Sequence, residues 1–391
     1  TGFNTNGDNS SAIAGYELEI SFNNGNVQCY NCVDTINLWE AGVYPAPTVT
    51  SNMFEIAIDF NNGMYAFNNS VIRIQLVDNQ SEDVIPNDIF DTTYTLQDIP
   101  LNYPEISIEK SIDELIRVTA FNTRVRLANS EFGPKLWRII QALDSEIYAF
   151  SECVYITSDQ VKYLLDLFIP LNNPEGWFVI KKPTGGYEDL ILASRFPIIQ
   201  DWPDESNGIE SMHPCLIDLP DNIYAKDLLI INAHTWCCED DSLRQIAADD
   251  FVNFILDAKS EGGVIDLDEE TPFVLCGDLN LVGYSQQLRT LLTGEIINTT
   301  LYGQGGGMNW SNNNLKDQLC LHTEQPLSFT WQNPDNIYPP GRLDFFIFSD
   351  DVMSAQKSFS INTEFMSQQN LNLYNLNTGD SYASDHLAIT T

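Results

Sequence analysis

Hydrophobic and polar positions alternate in the first part of the chain. Tyr16–Phe22, Met53–Phe60 and Val71–Val77 each follow this pattern, and clusters of Asn, Asp and Gly separate them. A period of two is typical of half-buried β-strands, and the clusters between them favour turns. No helical pattern interrupts this region. The sequence therefore predicts a small all-β sandwich over residues 1–112, followed by a linker that begins at the Pro100–Pro104 stretch.

The pattern changes in residues 113–391, where apolar strand patterns are mixed with helical ones. The period of 3.6 residues predicts helices over Lys135–Leu143, Asp159–Phe168 and Asp241–Lys259. Short apolar runs predict the strands Ile116–Phe121, Ile147–Phe150, Trp177–Ile180, Leu190–Ala193, Leu228–Ile231, Phe273–Cys276, Leu343–Phe348 and Leu387–Ile389. This mixture predicts a second domain of the α/β or α+β class.

Composition limits the classes of partner. The net charge is −37, from 55 acidic and 18 basic residues, and the excess is spread over both predicted domains. An acidic surface weakens non-specific binding of nucleic acid, which needs basic patches, and it attracts divalent cations. No apolar run approaches the length of a membrane span. The absence of an initial Met fits a mature secreted or periplasmic protein or a trimmed chain, and the sequence does not separate these.

The eight cysteines permit an oxidising compartment without establishing one. Cys29 and Cys32 could close a small disulfide loop, and no second pair of ligands beside them indicates zinc. Cys153 and Cys276 stand inside apolar strand patterns, which favours buried positions over reactive ones.

Polar residues stand at the ends of most predicted strands in the second domain. A rigid sheet fixes the spacing of such side chains, so sites form at one edge. Taken singly, each of them is more typical of a solvated loop or a structural hydrogen bond, and the functional hypothesis depends on the whole set. These residues are Asn122, Glu152, Arg195, His234, Asp278, Asn280, Asp344, Asp385 and His386.

The residue types match one reaction, the hydrolysis of a phosphoester. Carboxylate and amide oxygens such as those of Glu152 and Asn122 suit a hard cation, with Mg²⁺ favoured over Mn²⁺ or Ca²⁺. A carboxylate such as Asp278 can orient and deprotonate water. His234 and His386 can donate hydrogen bonds to developing charge on oxygen, as can Asn280. Pairing with Asp344 would keep His386 protonated more readily near neutral pH.

The order of the motifs resembles the endonuclease/exonuclease/phosphatase superfamily, which includes deoxyribonuclease-type enzymes, sphingomyelinases and inositol-polyphosphate phosphatases. The resemblance covers about the last 280 residues, and each motif is weak alone, whereas the seven in this order are specific. The motifs are Phe121-Asn122-Thr123, Phe150-Ser151-Glu152, Ala193-Ser194-Arg195-Phe196-Pro197-Ile198, Asn232-Ala233-His234, Gly277-Asp278-Leu279-Asn280, Arg342-Leu343-Asp344-Phe345 and Ser384-Asp385-His386.

The resemblance implies an α+β fold, a sandwich of two mainly antiparallel sheets flanked by helices. It implies that Glu152 binds the metal with Asn122 beside it and Asp385 nearby, and that Asp278 activates water. Asn280 would position the phosphate. His234 and His386 would bind the phosphate or protonate the leaving group, with Asp344 as the partner of His386. Arg195 is the expected substrate contact.

Two departures from the family pattern stand out. Ser151 takes the place of the Gln that most relatives have before the metal-binding Glu, which would alter hydrogen bonding around that ligand. Thr235-Trp236-Cys237-Cys238 follows His234, where relatives often have a branched or aromatic residue.

The leading hypothesis is a secreted, metal-dependent phosphodiesterase acting on a small molecule, a lipid headgroup or nucleic acid. A secreted nuclease is an alternative that the acidic charge weakens. Another is a binding or adhesion protein on an inactive hydrolase scaffold, although all the principal site residues are present. Trp310, Trp331 and Tyr338 could form a substrate rim or simply pack in loops. No protein partner is indicated, and the natural substrate, the disulfide pairing, the oligomeric state and the role of residues 1–112 stay open.

Overall fold

The computed structural model describes residues 105–391 except 185–187, 204–210, 239, 264, 283–284 and 334–339. Before residue 105 it describes only the backbone of short strands. These are β1 (Gly2–Asn4), β2 (Leu18–Asn23), β3 (Asn26–Tyr30), β4 (Thr35–Ile36), β5 (Val43–Ala46), β6 (Glu55–Ile58), β7 (Val71–Val77), β8 (Val84–Ile85) and β9 (Thr93–Thr95). The predicted sandwich, its boundary at residue 112 and the Cys29–Cys32 loop therefore stay predictions.

The rest of the described chain mixes strands with helices. The strands are β10 (Val118–Asn122), β11 (Ile147–Ser151), β12 (Phe178–Lys182), β13 (Leu190–Ser194), β14 (Ile198–Asp201), β15 (Met212–Ile217), β16 (Leu228–His234), β17 (Phe273–Asp278), β18 (Lys316–Gln318), β19 (Leu321–His322), β20 (Asp344–Phe348), β21 (Phe359–Ser360) and β22 (Ile389–Thr390). The helices are α1 (Gly133–Leu143), α2 (Ser158–Phe168), α3 (Asp241–Ala258), α4 (Ser285–Thr293), α5 (Thr299–Tyr302) and α6 (Gln368–Leu373), with a 3-10 turn at Ser381–Ala383.

These strands form two mixed sheets. The first has the order β12-β13-β11-β10-β22-β21-β19, and the second has the order β14-β15-β16-β17-β20-β18. The central pairs β10–β11 and β16–β17 are parallel, and most neighbouring pairs are antiparallel. The predicted α+β class, with two sheets flanked by helices, is confirmed for this part of the chain.

The two sheets pack face to face through alternate residues of each strand. One apolar cluster combines Val118 and Ala120 of the first sheet with Leu228, Ile230 and Cys276 of the second. Intervening residues on the same strands point outward to the helices, as the period of two requires. The burial of apolar side chains from both sheets in one layer holds the sandwich together.

Helices cover both outer faces. α1 and α2 pack on the first sheet, and α3 and α4 pack on the second. α2 begins with a capping box, in which the Thr157 side chain accepts from the Gln160 N–H and the Gln160 side chain accepts from the Thr157 N–H. α3 buries more of its circumference than its predicted apolar face, including Arg244 and Asp249, because α4 and the segment before α5 pack beside it.

The predicted elements are present with boundaries moved by a few residues, but several others were missed. β14 is largely exposed and β15 contains Pro214, so neither has a clear apolar pattern. α4, which begins Ser285-Gln286-Gln287, is a polar segment whose buried face is short. Among the described residues, no helix combines the length and the apolar character that a membrane span requires.

The register of the strands places polar residues from different motifs at the same edge of the two sheets. Asn122 pairs with Ser151 in the first sheet, and in the second sheet Asp278 lies between His234 and Asp344. Asn122, His234, Asp278 and Asp344 all occupy positions that face the other sheet, in phase with the core residues below them. These four polar side chains therefore continue the line of core residues and form a row at one edge of the sandwich.

Gly277 is required for the close pairing of β16 with β17 just below this row. Its φ is +132°, and a Cβ atom would lie 2.0 Å from the Ala233 carbonyl oxygen. We expect Gly277→Ala to lower the free energy of unfolding by at least about 2 kcal/mol, measured by urea denaturation. Gly379→Ala, whose Cβ would meet nothing within 4 Å, is the control. Equal stability of the two variants would contradict the role given to Gly277.

Candidate active site

Asp278 lies at the centre of the row, with 1% of its surface exposed. Its Oδ2 accepts a hydrogen bond from Asn122 Nδ2 at 3.0 Å, across the gap between the sheets. The same oxygen lies 3.4 Å from Nε2 of both His234 and His386. Its Oδ1 accepts the backbone N–H of Asn280 at 3.0 Å. A buried carboxylate needs this number of donors, because water no longer solvates its charge.

Asp344 orients His386 from the side opposite Asp278. His386 Nδ1 lies 2.9 Å from Asp344 Oδ2, so the predicted pair is present. Thr330 Oγ1 donates to that same oxygen at 2.7 Å and accepts the backbone N–H of Asp344 at 2.9 Å. With Nδ1 engaged in this way, the His386 ring presents Nε2 to the site.

The charges of this group shift the pKa values in opposite directions. Burial would lower the pKa of His386, but the charges of Asp344 and Asp278 outweigh it and raise this pKa to about 10. Burial also opposes protonation of His234, and the hydrogen bond and charge of Asp278 raise its pKa nonetheless. Burial would raise the pKa of Asp278, yet the charge of His386 and the bond to His234 hold it below its usual value. Near neutral pH, the site therefore contains an ionised Asp278 beside a protonated His386, and Asp278 also favours the protonated form of His234.

The burial of Asp344 affects which residue of the Asp344–His386 pair carries the proton. Burial raises the pKa of Asp344 against the attraction of His386. We place the proton on His386, because Asp278 adds a second negative charge beside the ring. Asp344 then acts as the anionic partner that fixes the ring, as the sequence predicts.

Glu152 enters the site from the first sheet. It follows β11 with φ of +55°, a left-handed conformation that turns the chain at the end of the strand. Its Oε1 accepts from Asn122 Nδ2 at 2.9 Å and lies 4.0 Å from His234 Nε2. The side chain is 24% exposed, so the carboxylate is accessible from the opening of the site.

Asn122 joins the two sheets at the site, and its predicted role as a metal ligand stays a prediction. Its amide nitrogen faces the Glu152 and Asp278 carboxylates, and its amide oxygen accepts the backbone N–H of Arg124 at 3.0 Å. Asn122 therefore holds two carboxylates together in this structure.

Asn280 is fixed by the segment that follows His234. Its Nδ2 donates to the Thr235 carbonyl oxygen at 2.9 Å, and its own φ is +45°. Thr235 in turn donates its N–H to the Asp278 carbonyl oxygen at 2.9 Å. These hydrogen bonds connect the segment after β16 to the segment after β17. The second N–H of the Asn280 side-chain amide remains available to a phosphate oxygen.

Asp385 reaches the same edge through its neighbours. Ser384 Oγ donates to the backbone oxygen of Asn122 at 2.8 Å, which fixes the final motif against β10. Asp385 Oδ2 lies 3.5 Å from Arg124 Nε, and the Asp385 side chain is 17% exposed. Asp385 is thus held at the edge that Asn122 occupies, and its predicted place near the metal stays a prediction.

Arg195 does not join this group, so the structure does not bring it to the site where a substrate contact is expected. Because β13 runs antiparallel to β11, its end lies beside the start of β11. Arg195 there pairs with Asp144 and, at 3.6 Å, with Glu146, and it lies over the Trp177 ring. Glu146 and Glu152 stand at opposite ends of β11, roughly 20 Å apart at the usual rise per residue.

Of the aromatic residues that were predicted as a possible substrate rim, Trp331 borders the site and Trp310 does not. The Trp310 side chain donates to the Thr271 carbonyl oxygen at 2.8 Å, below the start of β17 and away from Asp278. Trp331 forms a backbone bridge with His386, so it borders the site. Tyr338 lies outside the described residues.

Thr330, Ser384 and Arg124 are site residues that the sequence reasoning did not assign. Ser384 and Arg124 stand within or beside the quoted motifs, two residues from His386 and Asn122 respectively. Their proximity to those motifs was a usable signal. Thr330 had no such signal, because its contact with Asp344 joins segments that only the fold brings together.

Comparison with known proteins finds one matching family model. The family model described as the endonuclease/exonuclease/phosphatase family matches residues 121–386. The chain belongs to this family. The match begins beside Asn122 and ends at His386, so it includes all seven motifs and confirms the resemblance. Membership of the endonuclease/exonuclease/phosphatase family supports metal-dependent phosphoester hydrolysis.

Solved structures similar to this family member include TDP2 from Caenorhabditis elegans, with 15% identity, a TM-score of 0.43, and coverage of 72% of this chain and 76% of that one. ANGEL2, described as a 2',3'-cyclic phosphatase, has 15% identity and a TM-score of 0.45 over 70% and 93%. The 3'-5' exonuclease NExo from Neisseria meningitidis has 13% identity and a TM-score of 0.44 over 70% and 98%. A search of curated proteins finds no match.

The donor set of this endonuclease/exonuclease/phosphatase family member fits a divalent cation. Four carboxylates converge at the edge, where Arg124 and two histidines only partly offset them, and oxygen donors suit Mg²⁺, Mn²⁺ or Ca²⁺. Ligand atoms of Asp278, Asp344 and His386 lie within 4.8 Å of one another. Both ring nitrogens of His386 already face carboxylate oxygens in this group, Nδ1 that of Asp344 and Nε2 that of Asp278.

The separation of Arg195 from the site predicts that its loss leaves turnover unchanged. Arg195→Ala should lower the free energy of unfolding by about 1 kcal/mol, since it removes half-exposed ion pairs. Arg289→Ala, which removes an exposed pair with Glu295, is the matched control. Steady-state assays and urea denaturation measure the two effects. A large loss of turnover in Arg195→Ala alone would contradict this placement.

The raised pKa of His386 predicts a stability that depends on pH. The pKa is about 10 in the folded chain and 6.5 in the reference state, so the added stability is fully present below pH 6.5 and is lost as pH rises through about 10. Asp344→Asn should lower the His386 pKa and flatten this dependence. NMR titration of the four histidines, with urea denaturation across this range, measures both. A His386 pKa that is unchanged in Asp344→Asn would contradict the assigned pairing.

Proposed function

We propose that this chain is a phosphodiesterase in which Asp278 orients the attacking water. The observation that carries the proposal is the convergence of Asn122 Nδ2, His234 Nε2 and His386 Nε2 on the single oxygen Oδ2 of Asp278, at 3.0, 3.4 and 3.4 Å. An ionised acceptor thus stands beside two imidazole donors, an arrangement that suits water attack on a phosphoester.

The hydrolysis divides between these groups. Asp278 accepts a hydrogen bond from a water molecule, whose oxygen attacks phosphorus, and it takes the water's proton as the new P–O bond forms. His386, held by Asp344, and His234 donate to the phosphate oxygens, where charge builds up in the transition state. One of these histidines gives its proton to the leaving oxygen as the old P–O bond breaks. Asn280 adds a neutral donor from the other side of Asp278.

A divalent cation held by Glu152 and Asp385, when bound, would offset the charge of the non-bridging phosphate oxygens. Mg²⁺ suits these oxygen donors best, with Mn²⁺ and Ca²⁺ as alternatives. Asn122 supports this arrangement indirectly, because its amide nitrogen fixes the Glu152 carboxylate.

The charge of the chain favours a small molecule or a lipid headgroup over nucleic acid as the diester. A net charge of −37 repels a polyanion at low ionic strength, and the positive groups at the site are few. A single phosphodiester brings only one negative charge, which the histidines and the cation can balance. A secreted or periplasmic location is part of the same proposal.

Replacement of Asp278 or His386 should remove activity and leave the fold intact. We expect Asp278→Asn and His386→Gln each to lower turnover of bis-nitrophenyl phosphate by on the order of 10²- to 10⁴-fold. Asp144→Asn, at the opposite end of the sheet, is the matched control and should retain full turnover. Circular dichroism checks folding. Wild-type rates in either site variant would refute the assigned roles.

Glu152→Gln should weaken the response to metal more than it weakens the fold. We expect the Mg²⁺ concentration for half-maximal turnover to rise by at least about tenfold, because a neutral amide replaces a charged ligand. Exposed Glu131→Gln is the control. Assays in excess chelator complete the test, and full activity without divalent cations would overturn the metal-dependent mechanism.

Substrate class is measured with plasmid DNA, sphingomyelin, bis-nitrophenyl phosphate and nitrophenyl phosphate, each with Mg²⁺, Mn²⁺ and Ca²⁺. The proposal predicts turnover of the small diester and the lipid in excess of the monoester and of DNA. A preference for DNA would support the nuclease alternative. No turnover of any substrate would support a binding protein on an inactive scaffold.

A further inference from the structure

Two adjacent thiols lie on the surface beside the candidate site. Cys237 and Cys238 are exposed, and their sulfur atoms are 2.6 Å apart. The other cysteines with described side chains are buried, namely Cys153, Cys215, Cys276 and Cys320. Burial raises the thiol pKa of these four and protects them from solvent. Among the cysteines with described side chains, the exposed pair is therefore the one that solvent and small oxidants can reach.

A buried guanidinium shapes the loop that brings these sulfur atoms together. Arg244, which is 1% exposed, donates to the carbonyl oxygens of Trp236 at 2.7 Å and Cys238 at 3.0 Å. The Asp240 N–H donates to the Cys237 carbonyl oxygen at 3.4 Å, and Cys238 has φ of +62°. Three successive carbonyl groups are thus hydrogen-bonded, two to the Arg244 side chain and one to the Asp240 N–H, which fixes the backbone that presents the two thiols.

The same loop is connected to the site through Thr235. Its N–H and its carbonyl oxygen bond respectively to the Asp278 carbonyl oxygen and the Asn280 side chain, both at 2.9 Å. One residue, Trp236, separates Thr235 from the thiol pair. A change of backbone conformation at Cys237 and Cys238 therefore acts directly on the segment that fixes Asn280.

We propose that Cys237 and Cys238 form a reversible oxidation site, which closes to a disulfide between adjacent residues and thereby loosens the support of Asn280. The oxidation site itself goes beyond the proposed hydrolytic function. Only its effect on turnover rests on that function.

A small-molecule disulfide such as oxidised glutathione is the oxidant of the proposed reaction. The thiolate of Cys238 attacks one glutathione sulfur, which forms a mixed disulfide and releases one reduced glutathione. The Cys237 sulfur then attacks Cys238, loses its proton and releases the second reduced glutathione. The two cysteines are oxidised by two electrons, and the glutathione disulfide is reduced by two.

Covalent geometry makes this bond easy to reverse. The Cα atoms of adjacent residues are about 3.8 Å apart, whereas most disulfides join Cα atoms separated by about 4.4–6.8 Å. A bond forced below its usual span is reduced more readily than an ordinary structural disulfide. This reversibility suits a modification that responds to the surrounding thiol–disulfide balance.

Peptide mapping tests the site without reference to activity. Native protein is treated with oxidised glutathione, denatured, alkylated with iodoacetamide and digested with trypsin, which gives the peptide over residues 227–244 with Cys237 and Cys238 as its only cysteines. We expect this peptide to lack two hydrogen atoms and to carry no alkyl group, and to return to the doubly alkylated form after dithiothreitol. Recovery of both cysteines alkylated, or a stable adduct with glutathione, would overturn the proposal.

Turnover of bis-nitrophenyl phosphate tests the connection to Asn280. Oxidation should lower the turnover of wild-type protein by about fivefold, the effect of weakening one positioning hydrogen bond, and dithiothreitol should restore it. A Cys237→Ser/Cys238→Ser double variant should be insensitive, whereas Cys29→Ser/Cys32→Ser should respond as wild type does. Disulfide formation with unchanged turnover would overturn the connection. If no form hydrolyses the substrate, the proposed function fails and peptide mapping alone decides the oxidation site.

Discussion

The buried carboxylate of Asp278 is the constraint on which the arrangement of this site depends. A charge that is 1% exposed costs several kcal/mol of desolvation unless donors surround it. The fold supplies them from four directions, through the Asn122 amide, two imidazole rings and the Asn280 backbone N–H. Removal of any of these donors would leave part of the charge uncompensated, so the catalytic geometry and the stability of the sheet edge are linked.

The two-sheet sandwich explains how distant segments reach one oxygen atom. Asn122 belongs to one sheet and Asp278 to the other, and their hydrogen bond crosses the same gap that apolar residues fill below. Asn232 repeats this connection one step deeper, where its Nδ2 donates to the carbonyl oxygens of Phe150 and Ile191 at 3.0 and 3.1 Å. The side chains of the site are therefore positioned by rigid strands, and the loops that follow them add Glu152 and Asn280.

Sequence periodicity was sufficient to predict the central strands, the long helices and the edge at which polar residues gather. It was insufficient where strand direction decides position: Arg195 ends an apolar strand as Glu152 does, but β13 runs antiparallel to β11 and carries it to the other edge. Contacts between distant segments, such as that of Thr330 with Asp344, leave no local signal. The orientation of the Asn122 amide likewise depends on neighbours that sequence spacing does not reveal. Edge strands such as β14 lack an apolar pattern because solvent covers them.

The most direct measurement is the structure of crystals grown with Mn²⁺ and phosphate, in which anomalous scattering locates the metal. The arrangement predicts one strong Mn²⁺ peak within coordination distance of the Glu152 carboxylate, and a phosphate whose oxygens contact His234 and His386. Two results would contradict the central role of Asp278. One is a metal that is bound by Asp278 and Asp344 and displaces His386 from between them, and the other is a phosphate bound away from both histidines.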